Sequence, residues 1–422
     1  MFSVMRGLRT AISFETLLVT LSVVSLLTAC GSDVGTGASP TSSGGQSGAS
    51  TSAASGAASI GQSGAGATAI AGAAGGQGAG EPVGSCSKGV PLSGQPADTS
   101  KPTSVVGSGT AASCSFAALK EAVTQGGVIT FDCGPAPVTL SVTSTLNLPT
   151  NKNTVIDGGN KITLDGGQAV QILRFDSANF QANESVLTLQ HLALQNGKAT
   201  PSEAIPVAPA PCSQGWNDGE GGALYVRDGN LIVVDAVFSG NQAAPLGPDT
   251  GGGAIYILGS KHGALIVGSS FNDNSASNGG GIAGLFSALA IYNSVFTGNR
   301  ATGHDANNNQ PDKCSAMNNG QNETGSGGNG GPIYSDGNSV DVILCGDRIS
   351  NNSAGMNGFG GGLFFTSNDM MGVLTISDTT ITDNIGGSWT NVASGSVKNV
   401  GTAIGVNAKS ITVTRSTLQG YP

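Results

Sequence analysis

From about residue 186 onward, apolar residues recur in a fixed frame ahead of an asparagine. Counting back ten, eight and three positions from Asn241 gives Leu231, Val233 and Phe238. The same count gives Ala264, Ile266 and Phe271 before Asn274, and Leu289, Ile291 and Phe296 before Asn299. It gives Val342, Leu344 and Ile349 before Asn352, and Leu374, Ile376 and Ile381 before Asn384. Asn196 heads a version one residue shorter, with Leu187, Leu189 and Leu194, while Ile411, Val413 and Leu418 put Tyr421 in the seventh asparagine slot. A spacing of two is the period of a strand with one face buried, so each frame predicts β-structure.

Between these frames stand glycine pairs followed by alternating apolar residues, as in Gly221-Gly222-Ala223-Leu224, Gly252-Gly253-Ala254-Ile255 and Gly360-Gly361-Gly362-Leu363. From the first glycine of a pair to the next asparagine the distances are 20, 22, 20, 22 and 24 residues. From each asparagine to the next pair they are 25, 11, 5, 31, 8 and 17. A constant arm alternating with a variable one separates core from insertion, and one arm plus a minimal turn is about one coil of a parallel β-helix. Asparagines recurring at one turn would form a ladder of side-chain amides. Ahead of the repeats, Ser115 is placed to cap a short helix in which Phe116, Leu119 and Val123 share a face, sealing the first coil. The last coil needs a cover too. The segment 385–400 with Trp389, pairing with a second copy, and further chain beyond Pro422 all stay open as covers.

The Gly-Gly-Ala-Ile and Phe-x-x-Asn pattern is similar to the repeats of chlamydial polymorphic outer-membrane proteins. It is closer to the bacterial right-handed parallel β-helix repeat proteins of the pectate-lyase-like superfamily. The resemblance runs from about Cys114 to the end and includes Val128-Ile129-Thr130-Phe131-Asp132-Cys133-Gly134, Thr154-Val155-Ile156-Asp157-Gly158-Gly159 and Ile162-Thr163-Leu164-Asp165-Gly166-Gly167. It implies an all-β fold, a right-handed parallel β-helix, and leaves the activity open, because that superfamily holds lyases, hydrolases and adhesins.

The preceding residues read differently. Arg6 and Arg9, an apolar run from Leu17 to Leu27, and Leu27-Thr28-Ala29-Cys30 resemble a lipoprotein export signal spanning residues 1–29. That resemblance implies a lipid on Cys30, and the absence of Asp directly after it implies sorting to the bacterial outer membrane. In residues 31–84, 39 of 54 positions are Gly, Ser or Ala, too little apolar surface to offset chain entropy. Residues 30–84 are therefore expected to be a disordered tether, and 85–422 the folded domain. Over the whole chain, 68 glycines and only 10% charged residues, with a net charge of −9, argue against nucleic-acid binding.

Six cysteines remain besides Cys30: Cys86, Cys114, Cys133, Cys212, Cys314 and Cys345. In an oxidising compartment they allow up to three disulfides in fifteen connectivities. Cys114 with Cys133 is the favoured pair, and Cys212 with Cys314 would join the two longest insertions. No catalytic set is found. Asp157 and Asp165, each before Gly-Gly, read as turn residues, and Arg174, Arg227, Arg300, Arg348 and Arg415 are isolated. No resident cofactor or metal site is expected. Calcium stays open, because Asn272-Asp273-Asn274 and Thr382-Asp383-Asn384 offer oxygen ligands without a recognised calcium-loop spacing. Two functions stay in play: a surface-displayed binding or adhesive module for polysaccharide or cell-surface ligands, and a polysaccharide lyase or glycoside hydrolase with a loop-built site. The loop candidates for either are Trp216, Asp218, Glu220, His304, Asp305 and Asp312. The lipidation reading is checked by fractionation: Cys30→Ser is expected to move the protein out of the membrane fraction, and unchanged partition into detergent would refute it.

Overall fold

The computed structural model describes residues 85–202, 218–304, 327–386, 398–400 and 403–419, all within one compact unit, Ala69–Pro422. The fold is mostly β, built from two long parallel sheets of seventeen and nine strands with few helices. Each repeat gives one strand to the nine-stranded sheet and two to the seventeen-stranded sheet. In one repeat these are Ile255–Leu258, Ala264–Val267 and Ser270–Asn272. Each pairs in parallel with its counterpart one repeat before and one after: Ile255 faces Leu224 and Ile282, Ile266 faces Val233 and Ile291, and Phe271 faces Phe238 and Phe296.

The inward positions are those the frame picks out. Leu231, Val233, Phe238, Ile266, Phe271, Leu289, Ile291, Phe296 and their counterparts as far as Ile381 are buried in one continuous core. Parallel register puts identical residues face to face, so Phe238, Phe271 and Phe296 stack with ring centroids 4.8 and 4.6 Å apart. The asparagines form the expected ladder. The Asn274 carboxamide oxygen accepts from both the backbone N–H and the side-chain amide of Asn241, each at 2.9 Å, and Asn299 does the same for Asn274. The row continues through Asn352 to Asn384, and each Nδ2 also donates to a backbone carbonyl, as Asn274 does to Phe238. A second row, five residues earlier, uses Ser269, Ser294, Asp347, Thr379 and Ser416 to accept the backbone N–H of the repeat before.

Two details differ from the sequence frame. Asn196 is not a rung: its one-residue deficit aligns it with Gly240, and Gly197 takes the slot, donating its N–H to Asn241 at 2.8 Å. At the other end the amide that receives the Asn384 N–H belongs to Gln419, at 3.1 Å, whose longer side chain reaches from two positions before Tyr421. Tyr421 itself lies outside the described residues.

The positions six before each asparagine are Asp235, Gly268, Asn293, Gly346 and Asp378, all with φ between 48° and 75°. That left-handed bend explains why Asp, Asn and Gly share the slot. The helix Phe116–Gln125 is capped by Ser115, whose hydroxyl accepts from the Ala118 N–H at 3.2 Å, and buries Leu119, Ala122 and Val123. Lys398–Val400 folds back antiparallel on Ile404–Asn407 and so covers the last parallel edge of the nine-stranded sheet, while Trp389 lies outside the described residues.

Cys114 is bonded to Cys133. Cys86 is bonded to Cys345, 259 residues away, a pair the sequence did not single out. Cys212 and Cys314 lie outside the described residues, as do Cys30 and the whole of 1–84. Phe271→Ala, by opening a cavity in the aromatic row, is expected to cost about 3–5 kcal/mol in denaturant unfolding. Asn299→Ala, which strands the buried amide groups of Asn274, is expected to cost about 1–3 kcal/mol in the same measurement.

Candidate functional site

The insertions leave and re-enter the stack along one row. Ala244 N–H donates to the Gly219 carbonyl, Ser277 to Ala244, and Gly303 to Ser277, so the stems of the two longest insertions stand on the same side. Within the row, Asp218 and His304 are separated by three strand spacings, about 14 Å, so the structure does not bring them together. Trp216, Asp305 and Asp312 lie outside the described residues. Asp218 accepts from the Ser202 backbone and hydroxyl at 2.7–3.0 Å, which ties the two ends of its insertion together. It also lines a cavity of about 370 Å³ with Gln171, Arg174 and Lys198.

Glu220 behaves differently. It is 1% exposed, and neither carboxyl oxygen has a hydrogen-bond partner in good geometry. Burial, reinforced by the neighbouring Asp218 charge and only partly offset by backbone N–H groups and Arg174, pushes its pKa up to about 8. At neutral pH it is therefore mostly a neutral acid. It lines neither of the two cavities described in this section. Beside it, Tyr225 is fully buried with an unpartnered hydroxyl, and the Arg174 guanidinium lies 4.2 Å from its ring centroid.

Tyr225 belongs to a row on the outer face of the nine-stranded sheet. Tyr225 stacks on Tyr256 at 5.9 Å and Tyr334 on Phe364 at 5.4 Å, with Ala283 between the two pairs. The stems cover this row, and the Tyr256 hydroxyl donates to the Asp249 carbonyl at 3.0 Å. The second outward position of each strand forms a parallel column, Arg227, Leu258, Leu285 and Asp336. This column is the floor of a groove of about 580 Å³. Phe180 and Phe286, in edge-to-face contact at 5.9 Å, stand along it with Asp228, and Asp249 and Asn368 complete its polar lining.

The groove has an apolar middle and polar ends. At one end Arg227 Nε lies 3.4 Å from Asp176 and 3.7 Å from Asp228. At the other, the Tyr334 hydroxyl and the Asn368 amide donate to Asp336. Burial raises the pKa of both Asp228 and Asp336. Phe180 is 54% exposed, an aromatic face left to solvent beside these polar groups. Sequence reading missed this column, although its members all stand six residues after the first glycine of a pair and were countable from that mark.

The other sequence candidates have structural employment. Asp157 accepts from Gly159 N–H, Gln190, Thr99 and His191, and Asp165 from Gly167 N–H, Gln195 and Asn196. Burial opposes ionisation of both, yet these hydrogen bonds outweigh it and lower their pKa values. In the two segments offered for calcium, the amides of Asn274 and Asn384 are committed to the ladder, and Asp273 and Asp383 occupy left-handed bends. Among the described residues, the one group of three metal-ligating side chains with mutually close atoms is Cys86, Cys345 and Asp378, and both sulfurs are spent in a disulfide.

The chain matches no family profile, no curated protein and no solved structure. Glu220 supplies a pH test. Its folded pKa lies above the ordinary 4.5, so the unfolded chain binds fewer protons and stability falls as pH rises between about 4.5 and 8. Glu220→Gln is expected to flatten that fall, with a difference from the parent on the order of 4 kcal/mol by pH 8.5 in denaturant titrations.

Proposed function

We propose that the chain is a right-handed parallel β-helix acting as a surface-displayed binding module, and that the groove over Arg227, Leu258, Leu285 and Asp336 takes an extended oligosaccharide lengthwise. The observation that carries this reading is the exposed Phe180 ring, braced by Phe286, beside a column of evenly spaced polar and apolar groups. A sugar has one apolar face and a polar rim, so it suits an aromatic wall combined with carboxylates and an amide. The floor spans three strand spacings, about 14 Å, enough for a short run of sugar residues. An export signal, a lipid on Cys30 and the tether 30–84 would display the module at the outer membrane.

The enzyme reading, a polysaccharide lyase or glycoside hydrolase, rests on a protonated Glu220 next to Asp218. A carboxyl held neutral by burial could act as a general acid beside a second carboxyl. Against it, Glu220 is sealed from solvent and Asp218 is engaged by Ser202. A polysaccharide panel separates the two readings: the purified protein is expected to retain particular glycans without shortening them. Phe180→Ala is expected to weaken retention about tenfold with unchanged melting, as loss of a stacking contact would. Release of shortened chains by the parent and not by Glu220→Gln would favour the enzyme instead.

A further inference from the structure

The first residues of the described chain do not belong to any sheet. From Ser85 to Thr103 they run lengthwise over the outer face of the seventeen-stranded sheet, against the direction in which the repeats accumulate. Cys86 is bonded to Cys345, and its N–H donates to Asn293 at 2.7 Å. Ser87 donates its N–H and hydroxyl to Asp378, and Arg415 bridges both Ser87 and Asp378. Gly94 passes so close to Val267 that a Cβ would come within 2.9 Å of it. Farther along, Ala97 exchanges two hydrogen bonds with the Gln190 side chain, and Thr99 donates to Asp157. Only then does Ser104–Val106 enter the sheet, as its first strand.

We propose that residues 85–103 are a strap latched by the Cys86–Cys345 disulfide and released by its reduction. Between the latch and Gln190 most strap residues are exposed, and the stretch touches the sheet at Leu92–Gly94, where Gly94 lies against Val267 and Leu265 and the turn also meets the strand Asn230–Val234. Few apolar contacts and solvent-facing backbone mark a segment that opens separately from the rest. The latch decides where the upstream chain joins the fold. Cys345 stands seven strand pairings from Ser104–Val106, so release moves that junction about 33 Å along the stack and frees 19 residues. Any load transmitted by the upstream chain then falls on the first strand instead of on Cys345.

A small dithiol carries out the release in two exchanges. Its thiolate attacks the Cys86 sulfur, the more exposed of the two at 7% against 2%, and the Cys345 sulfur leaves and takes a proton. The reagent's second thiol then displaces Cys86 and closes its own disulfide. Two electrons pass from the dithiol to the cystine, and two cysteine thiols result.

The test is hydrogen exchange on the full chain, oxidised, treated with dithiol, and as the Cys86→Ser/Cys345→Ser variant. Amides in 85–100 are expected to exchange at least about tenfold faster in the variant than in the oxidised parent, with Ile255–Leu258 unchanged. Trypsin is expected to cut after Lys88 in the variant first. The variant keeps Cys114–Cys133, so a change confined to the strap is assigned to the latch alone. Strap exchange in the variant equal to that of the oxidised parent would overturn the proposal. Should the variant fail to fold, dithiol treatment of the folded parent gives the same comparison, with the Ile255–Leu258 amides reporting that the stack persists; strap amides that stay protected there also overturn it.

Discussion

A polar group buried inside this stack finds most of its partners in the neighbouring repeats, and that constraint shapes most of the chain. Parallel register lays each position on its own copy, so a side chain repeated in one inward slot suits the stack when it can both donate and accept. Asparagine meets the condition: the Asn274 oxygen accepts two N–H groups from Asn241 in the repeat before, while its nitrogen donates to the oxygen of Asn299 in the repeat after and to a carbonyl. Leaving such amides unpaired in a dry interior would cost about 1–3 kcal/mol apiece. Aspartate lacks the donor, and alanine lacks both functions. The same condition admits Ser and Thr to the second row, where each hydroxyl accepts from one repeat and donates to a carbonyl within its own, as Ser269 does to Val267.

What stacks also aligns, and the outer face inherits the alignment. Tyr225 and Tyr256 stack for the reason Phe238 and Phe271 do, but they face outward and need a lid, which the stems of the insertions provide. Variable length is tolerated in those insertions because only their stems are in the hydrogen-bonded row. The neighbouring column lies beyond the stems, so its residues are free to vary from Arg227 through Leu258 and Leu285 to Asp336. A groove with mixed chemistry thus arises where the stacking rule stops short of complete coverage.

The strand frame was legible because burial imposes it residue by residue: the ten, eight and three spacing names core positions from Leu231 to Leu418, all buried except those at the last strand, Ile411 and Val413. The left-handed bends leave their own mark in the chain, as Asp, Asn and Gly interchange six residues before each asparagine. Long-range pairings were not. Nothing near Cys86 or Cys345 in the chain announces their bond, because Cys86 and Ser87 reach their partners over 207 to 328 residues. The groove was hidden for another reason. Phe286 stands in the bend that Asp228 and Gly259 occupy in earlier repeats, but Phe180 comes from an irregular segment more than a hundred residues away, so only the folded backbone brings their rings together.

Two acids stand where the rows call for something else, and burial resolves both in the same way. Asp347 occupies the second row between Ser294 and Thr379, where its Oδ1 accepts the Ser294 N–H at 2.7 Å and its Oδ2 has no partner. Burial drives its pKa well above the usual carboxylate range. In the protonated form it offers one acceptor and one donor, which is what the hydroxyls above and below it offer. Glu220 precedes a glycine pair, in the slot where Asn278 and Asn329 accept the N–H of the following repeat. Its repeat is followed by Gly251, its carboxyl accepts no such bond, and burial pushes its pKa up to about 8. Burial in the stack thus raises the pKa of acids that lack enough donors, whereas Asp157, Asp165 and Asp378 collect N–H and O–H donors from neighbouring segments that hold theirs below the usual carboxylate range.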